Sequence, residues 1–354
     1  MSRFFSEKYI DLEPYVPGEQ PKKQRLIKLN TNESPYPPHE AVAEAVREES
    51  GKLHLYSDPE STELRNALAE NLGVDPEWLI VTNGSDEVLN YAFMAFCDAH
   101  IPAVFPDITY GFYPVFARIN QVPWREIPLN DDLTLDIRPY FNAAGTLFIA
   151  NPNAPTGLAL KRSEIEELLK KNSYNVVVVD EAYVDFGGDS CLPLVNEYDN
   201  LLVTRTFSKS RSMAGARLGF GIAQPELIRD LNAMRDSTNP YNVNRLTAAA
   251  GIASLKHDDY NMKNCETIIA TREKSERALK ELGFEVTLSR ANFLFVRHPA
   301  VSGEALYNGL RKRRILVRHF DRERIRDYNR ISVGTPEQMQ KLIEAVKAIL
   351  EGQA

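Results

Sequence analysis

The chain has 354 residues, of which 43% are hydrophobic and 26% are charged, as is typical of soluble globular proteins. This length is sufficient for one large α/β domain and a smaller second domain. The net charge of −7 argues against nonspecific binding to nucleic acid or to anionic membranes as the main activity.

The cysteines Cys97, Cys191 and Cys265 are widely spaced and odd in number, which favours reduced thiols in a cytosolic protein over a disulfide framework. The sequence contains neither a CxxC pair nor an HExxH motif, so it does not support a metal site. The N-terminus lacks an apolar signal core, and polar residues interrupt the longest apolar region. We therefore expect a cytoplasmic protein without a membrane span.

Residues 1–30 carry prolines among charged residues, which predicts an extended N-terminal arm. Amphipathic and short apolar segments then alternate through residues 31–246. We predict helices at Glu40–Glu49, Thr62–Leu72 and Glu87–Phe96, and strands at Leu79–Thr82, Ala103–Phe105, Thr146–Ala150, Val176–Val179, Leu201–Thr204 and Leu218–Ile222. Unalternating apolar strands separated by helices predict an α/β domain with a mostly parallel sheet that helices cover on both faces.

Residues 247–354 predict a smaller C-terminal α+β domain, which begins with a long linking helical stretch from about Thr247 to Leu282. We predict strands near 293–296, 315–317 and 330–333, and helices at 303–313 and 336–350. The sequence shows no internal repeat and no low-complexity segment.

A lysine lies in a segment rich in hydroxyl and small residues, Thr206–Arg217, directly after a predicted strand. Open α/β sheets bind ligands at this end of their strands. Lys209 is therefore a candidate to form an imine with an aldehyde, which requires its neutral amine. Most single lysines are solvated surface residues, but Ser208 and Arg217 add phosphate ligands to the same segment.

A carboxylate ends the valine-rich strand that precedes this segment. A buried Asp180 needs a partner, which a protonated pyridine nitrogen would provide; a helix cap or a structural salt bridge is the alternative. Tyr183 follows three residues later and either contacts a phenolic oxygen or belongs to the core. With Lys209 and the phosphate ligands, these residues predict pyridoxal phosphate as the cofactor.

Three further segments add candidate cofactor ligands. Ser85 and Asp86 stand between a strand and a helix, where backbone N–H groups bind phosphate, although both are also common helix caps. Tyr110 either stacks on the pyridine ring or lies in a core loop. In the turn Asn151–Gly157, the side chain of Asn153 could hydrogen-bond the ring oxygen.

Two arginines near the C-terminus, Arg318 and Arg330, are candidate anchors for an anionic substrate, because a guanidinium matches carboxylate and phosphate geometry. Over residues 311–330 the Lys and Arg residues outnumber Asp and Glu by nine to three, so most of them are solvated. A nucleic-acid site would need interleaved aromatics and a basic domain, which this acidic chain lacks.

Together these residues resemble the fold-type I pyridoxal-phosphate aminotransferases, and within them the histidinol-phosphate aminotransferase family, over nearly the whole chain. The cofactor motifs, Asp180–Tyr183 and Ser208–Arg217, are shared by many aminotransferases. The signals specific to the narrower family are Leu12–Tyr15, Leu29–Pro35, the Tyr56 segment, Arg318 and Arg330.

The resemblance implies that Lys209 forms the Schiff base with the cofactor, Asp180 pairs with the ring nitrogen and Tyr183 touches the phenolic oxygen. It implies that Tyr110 stacks on the ring. It further implies that the phosphate is held, through backbone or side chain, by Ser85, Asp86, Ser208 and Arg217.

The resemblance also implies a homodimer with shared sites, in which Tyr56 reaches the cofactor phosphate of the neighbouring subunit. Arg330 would bind the carboxylate of glutamate. Tyr15, Arg318 and Arg330 would meet the phosphate of the alternate substrate.

One position departs from the family pattern. The family has an asparagine directly before Pro-Thr-Gly, where its amide contacts the phenolic oxygen, but this chain has Ala154. Either Asn153 takes over the contact or Tyr183 acts alone. A lost neutral hydrogen bond is worth roughly 1 kcal/mol, so we expect the change to tune the cofactor without abolishing catalysis.

The resemblance implies an aminotransferase that uses glutamate and imidazole-acetol phosphate and yields 2-oxoglutarate and L-histidinol phosphate, a step of histidine biosynthesis. The alternative is a related pyridoxal-phosphate enzyme that acts on aromatic amino acids or on O-phosphothreonine. A noncatalytic cofactor-binding regulator would need a DNA-binding segment, and the arm at residues 1–30 is too short and too rich in proline for a winged helix-turn-helix.

Overall fold

The computed structural model describes residues 2–20 and 26–352. Within these residues the α-helices are α1 Glu40–Glu49, α2 Thr62–Leu72, α3 Ser85–Phe96, α4 Tyr113–Ile119, α5 Arg162–Lys171, α6 Pro225–Thr238, α7 Arg245–Leu255, α8 Asp258–Glu281, α9 Gly303–Lys312 and α10 Pro336–Leu350. The strands are β1 Ile27–Lys28, β2 Leu79–Thr82, β3 Ala103–Pro106, β4 Trp124–Ile127, β5 Thr146–Ala150, β6 Val177–Asp180, β7 Leu201–Thr206, β8 Gly219–Ile222, β9 Glu285–Val286, β10 Phe293–Arg297, β11 Ile315–Leu316, β12 Arg318–His319 and β13 Asn329–Ser332.

The large domain is built on seven strands in the order β2-β8-β7-β6-β5-β3-β4. Strands β4, β3, β5, β6 and β7 pair in parallel, whereas β8 is antiparallel to both of its neighbours, β2 and β7. The predicted α/β fold with a mostly parallel sheet is confirmed. Because β5, β6 and β7 run in parallel, the chain segments that follow β5 and β6 emerge at the same edge of the sheet as the segment that follows β7.

Helices cover both faces of this sheet, which is why its central strands are apolar without alternation. One face packs against α1, α2, α5 and α7, and the other against α3, α4 and α6. The edge strand β4 exposes Arg125 and Glu126, and such charges protect an edge from pairing with other chains. The sequence patterns that predicted the central strands did not single out β4, α4, α5 or α6.

The smaller domain contains an antiparallel sheet in the order β12-β13-β10-β9, with α8, α9 and α10 beside it. A second, two-stranded sheet joins β1 to β11 in parallel. Leu29, which follows β1, is 1% exposed and packs in the core of this domain. The end of the expected arm, residues 27–30, therefore belongs to the small domain, while residues 1 and 21–25 of that arm and residues 353–354 lie outside the described part of the chain.

The long helical stretch expected from Thr247 to Leu282 is two helices. The first, α7, packs on α1 and α2 of the large domain, and the second, α8, contributes to the core of the small domain. The chain leaves helical geometry at His257, which precedes α8. In residues 2–20 and 26–352, we find no helix with both the length and the apolar character that a membrane span requires.

Candidate active site

Asp180 ends β6 at the carboxyl edge of the large sheet and is buried. Burial raises the pKa of its carboxyl to about 7, although the backbone N–H of Ala182 (3.1 Å) and the hydroxyl of Thr204 (3.2 Å) donate to it. The nearby carboxylate of Asp86 acts in the same direction as burial. A positively charged group in front of Asp180 would therefore stabilise its ionised form.

The neighbouring carboxylate, Glu181, has a different environment. Its side chain is buried and accepts from Arg205 at 2.8 Å, from Ser190 at 3.0 Å and from the backbone N–H of Cys191. Glu181 is thus part of a satisfied ion pair, which leaves Asp180 as the carboxylate that faces the sheet edge.

Lys209 lies in the loop between β7 and β8, and its amine is 5.7 Å from the centre of the Tyr183 ring. Its side chain makes no hydrogen bond and no ion pair with the residues that the structure describes. Two residues later, the buried guanidinium of Arg211 pairs with Asp185 and Asp258 and anchors the loop. The charge of Arg211 is therefore neutralised within the fold, whereas the amine of Lys209 remains available to a ligand.

Tyr183 stands beside this amine, with its ring edge-on to Phe293 at 5.2 Å between centroids. Its hydroxyl accepts a hydrogen bond from Nδ2 of Asn32 at 3.0 Å. Asn32 is buried, and its backbone is in the left-handed region at φ 56°. The sequence motifs did not assign this asparagine a contact with Tyr183, and the only signal was its position inside the segment Leu29–Pro35.

An anion site lies at the N-terminus of α3. Gly84 precedes the helix at φ 75°, and the first backbone N–H groups, at Ser85 and Asp86, have no partners within the helix. A side chain at Gly219 of β8 would place its Cβ 2.2 Å from the nitrogen of Ser85. Glycine at this position is what allows the helix to begin directly above the sheet.

The carboxylate of Asp86 organises the rest of this anion site. It accepts from the hydroxyl of Tyr110 at 2.7 Å and from the guanidinium of Arg217 at 3.0 Å. Burial raises the pKa of Tyr110, and Asp86 contributes in the same direction, so this tyrosine stays a neutral donor. The side chain of Asp86 is thus used to hold Tyr110 and Arg217, and its backbone N–H remains for an anion.

These residues enclose a cavity of about 280 Å³. Of the residues predicted for the cofactor, its lining includes Ser85, Asp86, Tyr110, Asp180, Tyr183, Ser208, Lys209 and Arg217. Glu33 also lines it and was not predicted. Burial opposes the charge of Glu33, but contacts with Lys28 and Thr31 and the charge of Lys209 hold its pKa below the usual range.

A second cavity of about 340 Å³ adjoins the first and shares Tyr110, Tyr183 and Lys209 with it. Its lining includes the predicted substrate residues Tyr15, Arg318 and Arg330, and also Asn30, Asn32 and Arg322. Arg322 was not among the predicted residues. Because Lys209 lines both cavities, a molecule in either one lies beside this residue.

Arg330 is the most desolvated cation of the second cavity. Its guanidinium contacts the rings of Phe293 (5.4 Å) and Phe320 (5.7 Å) and donates to the carbonyl of Asn30 at 3.2 Å. Its Nε is buried without a partner among the described residues. Burial lowers the pKa of this guanidinium, so binding of an anion would be favourable.

The other two substrate candidates flank this guanidinium. Arg318 lies directly opposite Arg330 in the pairing of β12 with β13 and donates to the carbonyl of Val16 at 3.2 Å. Tyr15 lines the same cavity and stacks on Phe112 at 4.3 Å between ring centroids. The part of the arm around Tyr15 and Val16 thus closes one side of the second cavity.

Two predicted cofactor residues lie elsewhere. The amide of Asn153 donates to the carbonyl of Ile108 and the hydroxyl of Thr156 and accepts from Thr109, so it is occupied within the loops and does not line either cavity. In this structure Asn153 is therefore not available for the predicted contact with the ring oxygen. Tyr56 is 79% exposed, stacks on Tyr241 at 4.6 Å and is remote from both cavities of its own chain.

The donor set of the first cavity fits pyridoxal phosphate. Asp180 offers a buried carboxylate with a raised pKa, which a protonated pyridine nitrogen would neutralise. Lys209 offers an amine without a partner, and the start of α3 with Arg217 offers N–H groups and a cation for a phosphate. Residues 2–20 and 26–352 contain no cluster of three or more His, Cys, Asp or Glu that would suit a metal ion.

Comparisons with known proteins agree with this geometry. The family described as aminotransferase class I and II matches residues 24–346. The histidinol-phosphate aminotransferase of Chromohalobacter salexigens is 50% identical over 351 residues, 99% of each chain. That of Acinetobacter baumannii is 48% identical over 98% of this chain and 97% of its own.

Solved structures have the same fold. The histidinol-phosphate aminotransferase from Sinorhizobium meliloti, in complex with pyridoxal-5'-phosphate, has a TM-score of 0.85 at 25% identity and covers 93% of this chain and 92% of its own. The L-threonine-O-3-phosphate decarboxylase from Porphyromonas gingivalis has a TM-score of 0.81 at 23% identity, over 92% of this chain and 100% of its own. The second likeness concerns the fold alone.

Proposed function

Because this chain belongs to the class I and II aminotransferase family, we propose that it transfers an amino group between glutamate and imidazole-acetol phosphate to give L-histidinol phosphate. It is an aminotransferase that uses pyridoxal phosphate. The observation that carries the substrate proposal is the second cavity, which is lined by Lys209 and by the paired residues Arg318 and Arg330. The relatives from Chromohalobacter and Acinetobacter are named for the same reaction.

When bound, pyridoxal phosphate supplies an electron sink for the charge that develops at the substrate α-carbon. In our proposal Asp180 keeps the pyridine nitrogen protonated, and Tyr183 donates to the phenolic oxygen. Lys209 acts as the general base that takes the proton from the α-carbon. Its position at the junction of the two cavities supports this role, since it reaches both the cofactor and the substrate sides.

We assign recognition of the substrate anions to the arginines of the second cavity. The planar fork of Arg330 suits the carboxylate of glutamate. Arg318 and Tyr15 would join it for the phosphate of the alternate substrate. The buried, partnerless Nε of Arg330 supports this proposal, because an unpaired buried donor costs free energy that an anion would recover.

We also propose a cytoplasmic homodimer in which Tyr56 completes the neighbouring site. The free, buried cysteines are consistent with a reducing compartment. Leu53, Leu55 and Tyr56 are more than half exposed, and Tyr241 stacks against Tyr56. An apolar patch of this kind is typical of a protein interface.

The half-reaction with histidinol phosphate tests the proposal. Purified holoenzyme is mixed with L-histidinol phosphate without any keto acid, and the visible absorption band of the cofactor is followed. We expect the band to fall as the aldehyde becomes the amine. The Lys209→Ala variant, which lacks the general base, should not show this conversion.

Phenylalanine and O-phosphothreonine serve as comparison substrates in the same assay. A preference for phenylalanine over histidinol phosphate, or release of carbon dioxide from O-phosphothreonine, would overturn the substrate assignment. Absence of bound pyridoxal phosphate from the purified wild-type protein would overturn the cofactor assignment as well.

A further inference from the structure

Asn32 belongs to the N-terminal segment of the chain yet contacts the tyrosine of the candidate cofactor site. Its Nδ2 lies 3.0 Å from the hydroxyl oxygen of Tyr183, and its side chain lines the second cavity. It is 1% exposed, so its amide is removed from bulk water. A hydrogen bond in such surroundings has a strong orienting effect.

A closed ring of hydrogen bonds determines which way this amide points. The backbone N–H of Asn32 donates to Oγ of Ser332 at 2.8 Å, and that hydroxyl donates to Oδ1 of Asn32 at 2.9 Å. Because the oxygen of the amide receives the Ser332 proton, its NH2 group faces Tyr183. The carbonyl of Asn32 is held by Asn292 at 2.9 Å, which fixes the backbone as well.

This orientation determines the direction of the Tyr183 proton. A phenol oxygen that accepts from Nδ2 of Asn32 keeps its own proton for another acceptor. Accepting a hydrogen bond also polarises the phenol O–H group and makes it a stronger donor. Because Tyr183 lines both cavities, its remaining donor is available on the cavity side.

No other amide among the described residues holds this hydroxyl. Ala154, which replaces the asparagine of the family pattern, lines both cavities and packs with Tyr183 through a methyl group alone. The amide of Asn153 is occupied by Ile108, Thr109 and Thr156. Among the described side chains, the amide that contacts Tyr183 is therefore that of Asn32, while positions 153 and 154 offer no free amide to the cofactor site.

We propose that Asn32 is a positioning residue, which keeps the Tyr183 hydroxyl directed at the phenolic oxygen of the cofactor. Tyr183 would then hold this oxygen without the amide that Ala154 lacks. This inference rests on the proposed contact between Tyr183 and the cofactor. The segment is also joined to the substrate strand β13, because Arg330 donates to the carbonyl of Asn30 and Ser332 holds Asn32. Arg330, which would bind the substrate anion, and Ser332, which orients Asn32, thus lie on the same strand.

The test is a pH titration of the visible absorption band of the holoenzyme. A donor at the phenolic oxygen withdraws electron density from the chromophore and lowers the pH at which it loses its proton. We expect the midpoint to rise by about half a pH unit or more in Asn32→Asp and Asn32→Ala, as for a partly lost hydrogen bond. Tyr183→Phe, which removes the donor entirely, should give the largest rise.

The variants are chosen to separate orientation from folding. Asn32→Asp retains the size of the side chain and tolerance of the left-handed backbone, but its carboxylate accepts the Tyr183 proton. Ser332→Ala removes the partner that orients the amide, and we expect a smaller rise in the midpoint. Ser34→Ala, in the same segment but bonded to the backbone of Tyr36, is the matched control and should retain the wild-type midpoint.

The absorption midpoint is a readout that a merely structural role would not move, because it depends on hydrogen bonding at the phenolic oxygen. Unchanged midpoints in both Asn32 variants, with a clear rise in Tyr183→Phe, would overturn the inference. An unchanged midpoint in Tyr183→Phe would refute the contact itself and the inference with it, whereas the half-reaction assay reports on the proposed function independently.

Discussion

Asp180 and Glu181 are adjacent carboxylates in opposite electrostatic situations. Glu181 is neutralised by Arg205, while Asp180 has only neutral donors at 3.1 and 3.2 Å and a pKa raised to about 7. Without a cationic ligand, ionisation of Asp180 is therefore unfavourable in the folded protein. At the scale of a residue, the buried carboxyl of Asp180 is the feature that most directly indicates a cofactor with a protonated nitrogen.

The raised pKa of Asp180 predicts how the stability of the cofactor-free protein depends on pH. Its carboxyl titrates near 3.8 when unfolded and near 7 when folded, so between these values the folded chain holds a proton that the unfolded chain has released. Stability from this group is thus lost as the pH rises from about 4 to 7. Asp180→Asn should remove the loss and make the cofactor-free protein more stable than wild type at pH 8, by on the order of a few kcal/mol.

Thermal unfolding of both cofactor-free proteins at pH 5 and pH 8 measures this effect. The melting temperature of Asp180→Asn should exceed that of wild type by more at pH 8 than at pH 5. Glu181→Gln is the matched control, and since it leaves Arg205 unpaired it should destabilise the protein. Equal melting temperatures for wild type and Asp180→Asn at pH 8 would contradict the assigned environment of Asp180.

At the scale of elements, the anion site depends on how closely α3 approaches β8. A Cβ on Gly219 would lie 2.2 Å from the nitrogen of Ser85 and 2.3 Å from the carbonyl carbon of Gly84. Both of these atoms are backbone, so no side-chain rotation relieves the clash. The helix start would have to move away from the sheet, and its N–H groups with it.

Gly219→Ala should therefore weaken binding of pyridoxal phosphate by at least about tenfold, which corresponds to roughly 1.4 kcal/mol. Gly215→Ala, in the preceding loop, is the matched control, because a Cβ there meets no atom within 4 Å. Titration of each cofactor-free protein with pyridoxal phosphate, followed by absorbance, gives the affinities. If both variants bind as tightly as wild type, α3 does not form the phosphate site in the way we describe.

At the scale of the whole molecule, both domains contribute to the second cavity. Lys209 and Tyr183 come from the large domain, and Arg318 and Arg330 from the small one. Arg324 of the small domain donates to Asp107 at 2.6 Å and to the carbonyls of Leu129 (2.8 Å) and Asn130 (3.0 Å). These bonds join to the large domain the segment that follows β12, which lies between the two substrate arginines in the chain.

A subunit-complementation experiment tests the proposed sharing of sites. Tyr56→Ala and Lys209→Ala homodimers should both have low activity, since each lacks one component at both sites. In a mixed dimer, the site with an intact Lys209 receives Tyr56 from its partner, so one of two sites is complete. We expect a mixed dimer, prepared with two affinity tags, to regain about half of the wild-type activity.

A mixed dimer no more active than its parents would show that Tyr56 does not act across subunits. The oligomeric state of each preparation is checked by light scattering. A monomeric but fully active wild-type protein would remove the dimer from the proposal altogether.

The local pattern of the chain was sufficient to predict the α/β class and most central elements. Helices α1, α2 and α10 and strands β2 and β5 have the predicted bounds, because amphipathic periodicity and fully apolar runs are properties of neighbouring residues. The residues at the strand ends were predictable for the same reason, since parallel strands bring their carboxyl ends to one edge. Asp180, Lys209 and Ser85 therefore line one cavity, as indicated by their positions at the end of β6 and just after β7 and β2.

Other features depended on contacts between distant parts of the chain. The segment at residues 27–30 is a strand of the small domain only because β11, far along the chain, pairs with it. Asn153 is the asparagine that the sequence offered in place of Ala154, but its amide is bonded to Thr109 and Ile108. The amide that contacts Tyr183 belongs to Asn32, in the N-terminal segment of the chain. Side-chain hydrogen bonds form with whatever the packed fold brings within about 3 Å, and no periodicity along the sequence encodes that distance.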